Sequence, residues 1–221
     1  VGGLVWPVMV EQVTRTRMRT TDIFVTALCS QLAVAAIGLA DLYARLPLRI
    51  GLGLGAGAIA LSSQDTGSDA TANRDEAITQ ALLLGALTGI PFVLFGFLLG
   101  EQAIAVLGLW AEREEMTEVA ALGGVYLAII FATSPARHVA LIGAQALQGT
   151  GDTRTPMYVN LVSNGLNIAL SLVLGLGLFG APRLEIIGVG LATAIGNVFT
   201  ATVFLGLLAT EYTEAGYVYP Q

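Results

Sequence analysis

The strongest constraint lies between Gln80 and Glu101, where the twenty residues 81–100 (ALLLGALTGIPFVLFGFLLG) carry no charge. About 20 apolar residues in helix cross the hydrocarbon of a bilayer. In that medium every backbone polar group must be satisfied internally, and a single segment achieves this only as an α-helix. Residues 161–182 and 186–210 are two more stretches of spanning length. Composition extends the inference to the whole chain: 55 % of the 221 residues are hydrophobic, 12 % are charged, and the mean hydropathy is +0.75. Six spans would use about 120 residues, and the remainder suffices for short loops only. The expected fold is all-α: a polytopic membrane protein, one compact bundle of six helices over residues 1–210, followed by a polar tail, 211–221.

The other three spans are less regular. Residues 119–143 include Pro135, Arg137 and His138, which predict a kink or an approach to a cavity. Residues 32–61 are long and contain Asp41, Arg45, Pro47 and Arg49, so tilting or a kink at Pro47 is expected. Residues 4–28 carry Arg15, Arg17, Arg19 and Asp22 at their centre, too much charge for a lipid-facing helix. Glu11, Arg15, Arg19, Asp22 and Thr26 share one helical face, which could line a water-filled cavity or pair with another helix. Between the spans, 64–76 (QDTGSDATANRDE), 112–118 (EREEMTE) and 149–156 (GTGDTRTP) read as polar loops.

Charge excludes some functions. All ten basic residues are arginine, and sixteen acids leave a net charge of -6. No basic patch exists to neutralise phosphates, so nucleic-acid binding is disfavoured. An acidic, lysine-free composition fits a halophilic origin and fits GC-rich codon bias equally well. Cys29 is the single cysteine, so neither an intrachain disulfide nor a cysteine metal cluster is available. VGGLVWPVMVEQ lacks the layout of a signal peptide and reads as a chain that begins partway into a helix. Arg74 and Arg154 fall on one side of the expected topology and Arg113 and Arg183 on the other, so loop charge gives no orientation. GLGLGAG (51–57) lacks the third glycine of a dinucleotide loop; it reads as a surface for close helix approach. GTGDTRTP lacks the lysine of a phosphate loop. No nucleophile–base set or hydrolase-type carboxylate pair is present, so an enzyme is not expected.

Four segments carry a family resemblance: TTDIFVTALCSQLAVAAIGLA (20–40), PLRIGLGLGAGAIALSSQDTG (47–67), ALQGTGDTRTPMYVNLVSNGLNIALS (146–171) and IIGVGLATAIGN (186–197). In this order they resemble the first six helices of the multidrug and toxic compound extrusion (MATE) family of cation-coupled antiporters. The resemblance implies a twelve-helix fold of two lobes around a central cavity, of which this chain is similar to the N-terminal lobe. It also implies export of amphipathic organic cations across the plasma membrane in exchange for H⁺, with Na⁺ as the other coupling ion, and no cofactor. The implied partners are the lipid bilayer, small amphipathic organic cations, and a second lobe or a homodimer mate. Whether the chain is a fragment, a half-transporter or a non-transporting assembly partner stays open. A lipid-linked-precursor flippase of the same superfamily is the rival transporter, kept open by Arg15, Arg17, Arg19, Arg45 and Arg49.

The resemblance places Asp22 at the family's acidic residue of the first helix, where it takes part in ion coupling. The alternative is a salt bridge to Arg19 or Arg15 that orients the helix. On the fifth span Asn160, Asn164, Asn167 and Ser171 lie on one face. Uncompensated amides are costly in hydrocarbon, so this face should look into the lobe or cavity. Asn167 matches the asparagine of an N-x-x-x-D pattern whose acid is here Ser171. One carboxylate still carries a proton, whereas a Na⁺ site loses a hard anionic oxygen. Thr193 matches a family threonine, and with Asn197 and Thr200 it forms a polar stripe. For these residues interhelical hydrogen bonding is the alternative role. Asp41 and Arg45 have the favourable i, i+4 order for a local ion pair, leaving an arginine to line the cavity together with Arg19. His138, the single histidine, reads as a solvated group near a loop, with a proton path as the other reading.

Overall fold

The computed structural model describes residues 2–67, 71–108 and 113–210, and these are helical almost throughout. The helices are α1 (Gly2–Ala27), α2 (Gln31–Gly67), α3 (Thr71–Leu107), α4 (Arg113–Ala132), α5 (Ser134–Gly149), α6 (Arg154–Leu176) and α7 (Glu185–Leu208). Five of them, α2, α3, α4, α6 and α7, are long and apolar enough to cross a membrane. α1 is too charged for that set, and α5 too short. α4 and α5 follow one another across Thr133 and together make one broken span, so the described residues form a helical bundle with five candidate crossings and with α1 packed mainly against α6.

The break has a local cause. Pro135 stands in the first turn of α5, where its missing N–H belongs to a group that has no helical partner anyway. The kink expected within 119–143 is therefore a complete change of helix at Thr133. Pro47 and Pro91 do the opposite: each lies inside a helix that continues through it. α2 and α3 have 37 residues each, or about 55 Å of helix, well beyond the hydrocarbon thickness. They extend into the segments expected to be loops. Residues 64–67 and 71–76 are helical, as are 113–118. Charged residues at a helix end lie outside the hydrocarbon, where polarity does not oppose helix formation. α6 spans Arg154–Leu176 instead of reaching residue 182, and stops at Gly177, whose φ of 72° is the left-handed cap that glycine adopts without strain. The tail, 211–221, lies outside the described residues.

The outer surface is apolar where that of a soluble bundle would be polar. α3 turns Leu83, Leu87, Leu94, Phe97 and Leu98 outward, an apolar surface suited to lipid tails. Inside, two clusters form. One joins α2, α4 and the start of α7 around Ala36, Ala40, Leu127, Phe131 and Val189; the other joins α3, α5 and the end of α7 around Ile78, Ile142, Leu147 and Phe204. Small residues let the backbones approach. A methyl group on Gly89 of α3 would collide with the backbone nitrogen of Pro135, so α5 begins directly against α3.

His138 marks that junction. It is fully buried, which corrects the expectation of a solvated, loop-proximal histidine. Its Nε2 lies 2.8 Å from the Pro47 carbonyl oxygen of α2, and its Nδ1 lies 3.0 Å from the Gly85 carbonyl oxygen and 3.2 Å from the Thr88 hydroxyl of α3. Through these contacts to α2 and α3, one imidazole on α5 ties three helices together. Phe92 packs edge-on against it at 6.2 Å.

Candidate functional site

α1, α2, α4, α5, α6 and α7 surround a cavity of about 330 Å³. Its wall collects the polar face of α1, with Glu11, Arg15, Arg19 and Asp22, and the amide face of α6, with Asn160, Asn164 and Asn167. Thr193 and Asn197 come from α7, and Asp41 and Arg45 from α2. Nine candidate residues (Asp22, Asn160, Asn164, Asn167, Thr193, Asn197, Arg19, Asp41 and Arg45) thus converge on one space. The tenth, Ser171, stands behind it and is fully buried.

Asp22 sits at the meeting of α1 and α6. It is 8 % exposed and accepts a hydrogen bond of 2.7 Å from the Ser171 hydroxyl. Neither arginine proposed as its alternative partner binds it. Arg15 pairs with Glu11 one turn earlier at 2.8 Å, and Arg19 reaches across to Asp41 of α2 at 2.6 Å. Asp41 is therefore held by Arg19 and not by Arg45. This corrects the local-pair expectation: a neighbour at i, i+4 on one helix competes with a charge on the facing helix, and here the facing helix wins. Among the described residues Asp22 has no ion-pair partner.

One turn along α6 from Ser171, Asn167 is 2 % exposed and donates from Nδ2 to the Thr193 hydroxyl at 3.2 Å. Among the described residues its Oδ1 is buried without a hydrogen-bond partner, an expense that a settled core avoids. Further along the same wall the network is closed. Thr200 donates to Ser163 at 2.6 Å, and Asn197 donates to Thr133 at 3.1 Å, at the break between α4 and α5.

α5 supplies a part of the wall of which the sequence reading had only Arg137, as part of an expected kink or approach to a cavity. Arg137, Leu141, Ala144, Gln145 and Gln148 face the cavity, as does Tyr126 of α4. The signal was present in the sequence, because positions 137, 141, 144 and 148 fall on one helical face. It was obscured by the expectation of a single span through Thr133, which leaves the phase of that face undefined.

A bundle of membrane-spanning helices wrapped around a charged and amide-lined cavity defines a lobe of a membrane transporter. The chain belongs to the MatE family, whose model matches residues 7–173. It is 32 % identical to a probable multidrug resistance protein NorM of Rhodopseudomonas palustris over 87 % of this chain and 39 % of that protein. It is 28 % identical to the multidrug resistance protein NorM of Vibrio cholerae over 87 % of this chain and 40 % of that protein. It spans about two-fifths of the length of these relatives. Among solved structures, an outward-facing multidrug resistance MATE family transporter of the MOP superfamily superimposes with a TM-score of 0.83 at 20 % identity, covering 98 % of this chain and 46 % of that one. These likenesses agree with a multi-pass protein of the cell membrane.

Proposed function

We propose that this chain forms one lobe of an exporter that exchanges amphipathic organic cations for H⁺, with Asp22 as the shared binding group. The observation that carries this reading is the state of Asp22. It is a buried carboxylate on a cavity wall, hydrogen-bonded by Ser171 and free of any arginine partner among the described residues. Intramembrane acids of this kind mark ion pathways. An ionised Asp22 attracts a cationic substrate; a protonated one does not. Proton and substrate then exclude each other at one group, which is the thermodynamic requirement for exchange. Asn167 and Thr193 are its polar partners, and Asn160, Asn164 and Asn197 the amide lining. The names of the relatives, multidrug resistance proteins, point the same way.

Na⁺ coupling is a second reading, favoured by the unpartnered Oδ1 of Asn167, since hard cations take carboxylate and amide oxygens. The flippase reading finds less support, because Arg15 and Arg19 are already matched by Glu11 and Asp41. For the opposite wall of the cavity we propose a second lobe, either further chain or a second copy, related by an axis along the membrane normal.

The test is efflux of ethidium from vesicles under an imposed pH gradient, with Na⁺ present or replaced by choline. Gradient-driven efflux that ignores Na⁺ and vanishes in Asp22→Asn supports H⁺ exchange through Asp22. Efflux that survives in Asp22→Asn refutes it.

A further inference from the structure

α2 carries glycines on two faces. Gly51 and Gly55 admit α5: a methyl group on Gly51 would meet Leu141 and His138, and one on Gly55 would overlap the Gln145 amide. Gly53 and Gly57 have nothing within 4 Å. Arg45, Arg49, Gly53, Ala56 and Ala60 are all exposed and fall on one face, which Gly57 borders. Small residues of this kind let membrane helices approach, and no described helix covers these. The two arginines set this face apart from a lipid-facing one. Among the described residues neither guanidinium makes an ion pair or hydrogen bond, and Asp41, one turn from Arg45, is held by Arg19. Arg45 lines the cavity, whereas Arg49 is not among the residues that do. Pro47, between them, fixes their depth. Its carbonyl oxygen lies 2.8 Å from His138 Nε2, and His138 Nδ1 lies 3.0 Å from the Gly85 carbonyl oxygen. Gly85 belongs to the charge-free run 81–100, so Arg45 and Arg49 stand at the level of the hydrocarbon. Helical side chains lean toward the N-terminus, which here carries Arg49 deeper and not toward the nearer surface. An unmatched arginine at such a depth is costly.

We propose that this face of α2 is the seam for the second lobe, and that the lobe presents there a helix of different sequence with a carboxylate opposite Arg49. This rests on the proposal of a second lobe and names what that lobe brings. The planar fork of arginine suits a carboxylate, and a buried pair of opposite charges sets the register of packed helices. Gly53 and Gly57 give the partner helix the close approach that Gly51 and Gly55 give α5. A second copy of this chain does not supply the carboxylate. A two-fold axis along the membrane normal would bring Arg49 against the same residue of the copy, and the acid nearest on that helix, Asp41, is already engaged. The relatives leave room for a lobe of different sequence, since this chain spans about two-fifths of their length.

The probes are synthetic membrane-spanning peptides of leucine and alanine with a single glutamate, glutamine or lysine at the centre. Association with the protein is read in phosphatidylcholine vesicles at alkaline pH, by energy transfer from a fluorescent protein fused after Gln221 to an acceptor dye on the peptide. The glutamate peptide should half-saturate at about a tenth of the peptide-to-lipid ratio that the glutamine peptide needs, the scale of a hydrogen bond to a charged group. The lysine peptide should stay at the level of random proximity. Arg49→Leu should bring the glutamate and glutamine curves together, and Arg49→Glu should move the preference to the lysine peptide, an exchange that a merely structural arginine would not produce. Gly53→Leu should weaken the glutamate and glutamine peptides alike. If Arg49→Leu does not accumulate in the membrane, Arg49→Gln permits the same comparison. Equal association of the glutamate and lysine peptides with the wild type overturns the inference, as does a glutamate preference that survives the Arg49 variants. Energy transfer between two differently labelled copies of this chain that Gly53→Leu abolishes would give the seam to a second copy, overturning the acidic partner while leaving the two-lobe reading intact. Asp22→Asn should leave the peptide curves unchanged, so a failure of exchange through Asp22 is read separately, in ethidium efflux.

Discussion

Asp22 and His138 are both ionisable side chains enclosed in a helical membrane bundle, and their surroundings differ in kind. His138 is fully buried, and both ring nitrogens lie within hydrogen-bond distance of partners: Nε2 of the Pro47 carbonyl, Nδ1 of the Gly85 carbonyl and the Thr88 hydroxyl. His138 itself is not among the residues that line the cavity. Asp22 lies on the cavity wall with one hydroxyl donor, and its neighbour Asn167 keeps a buried oxygen without a partner. Burial alone therefore does not mark a working residue in this protein. What separates the two is access to space and an incomplete hydrogen-bond complement, both of which leave room for a ligand or a proton.

The comparison breaks most visibly through activity. Asp22→Asn retains an acceptor for Ser171, so the fold should persist while ethidium efflux falls to the background of empty vesicles; a variant that transports normally would place Asp22 in the same structural class as His138. His138→Ala should behave in the reverse manner. It removes the tie between α2, α3 and α5 and leaves a cavity, at a cost of about 2–4 kcal/mol. The check is thermal unfolding in detergent, with ethidium affinity of the folded fraction as the contrast. A His138→Ala protein of normal stability would show that the three-helix contact is idle.

Gly89→Ala probes the same junction from the backbone. The added methyl meets Pro135, and overpacking of this kind costs about 1–3 kcal/mol, which a lower unfolding temperature would register. Ser171→Asp sharpens the other side of the comparison. By adding a second anionic oxygen beside Asp22 it should make efflux respond to Na⁺, where the wild type is expected to be indifferent; the readout is efflux in Na⁺ against choline. The smallest effect belongs to Arg183→Ala, which removes a half-exposed pair with Glu185 at 3.4 Å. A stability change under about 0.5 kcal/mol is expected, and a larger one would mean that α6 and α7 depend on their connecting turn.

Helix content, the apolar spans and the polar stripes were legible because each depends on local pattern. A run without charge must be helix in lipid, and residues four apart share a face whatever surrounds them. That is how Asn160, Asn164, Asn167 and Ser171 could be grouped before any fold was known. Helix ends were less legible. The polar segments 64–76 and 112–118 read as loops, yet helix continues through much of both, since polarity signals departure from the membrane and not the end of a helix.

The sequence by itself determined that this chain is a bundle of membrane helices with charge confined to a few faces, because the bilayer penalises every alternative. Only the tertiary structure decided which charges meet. Ser171 reaches Asp22 across 149 positions of chain, Arg19 takes Asp41 from its own helical neighbour Arg45, and among the described residues Arg45 and Arg137 are left without an ion-pair partner. Such pairings depend on distances between helices, which are set where small residues such as Gly89 let backbones touch. Spacing along one helix carries no record of them.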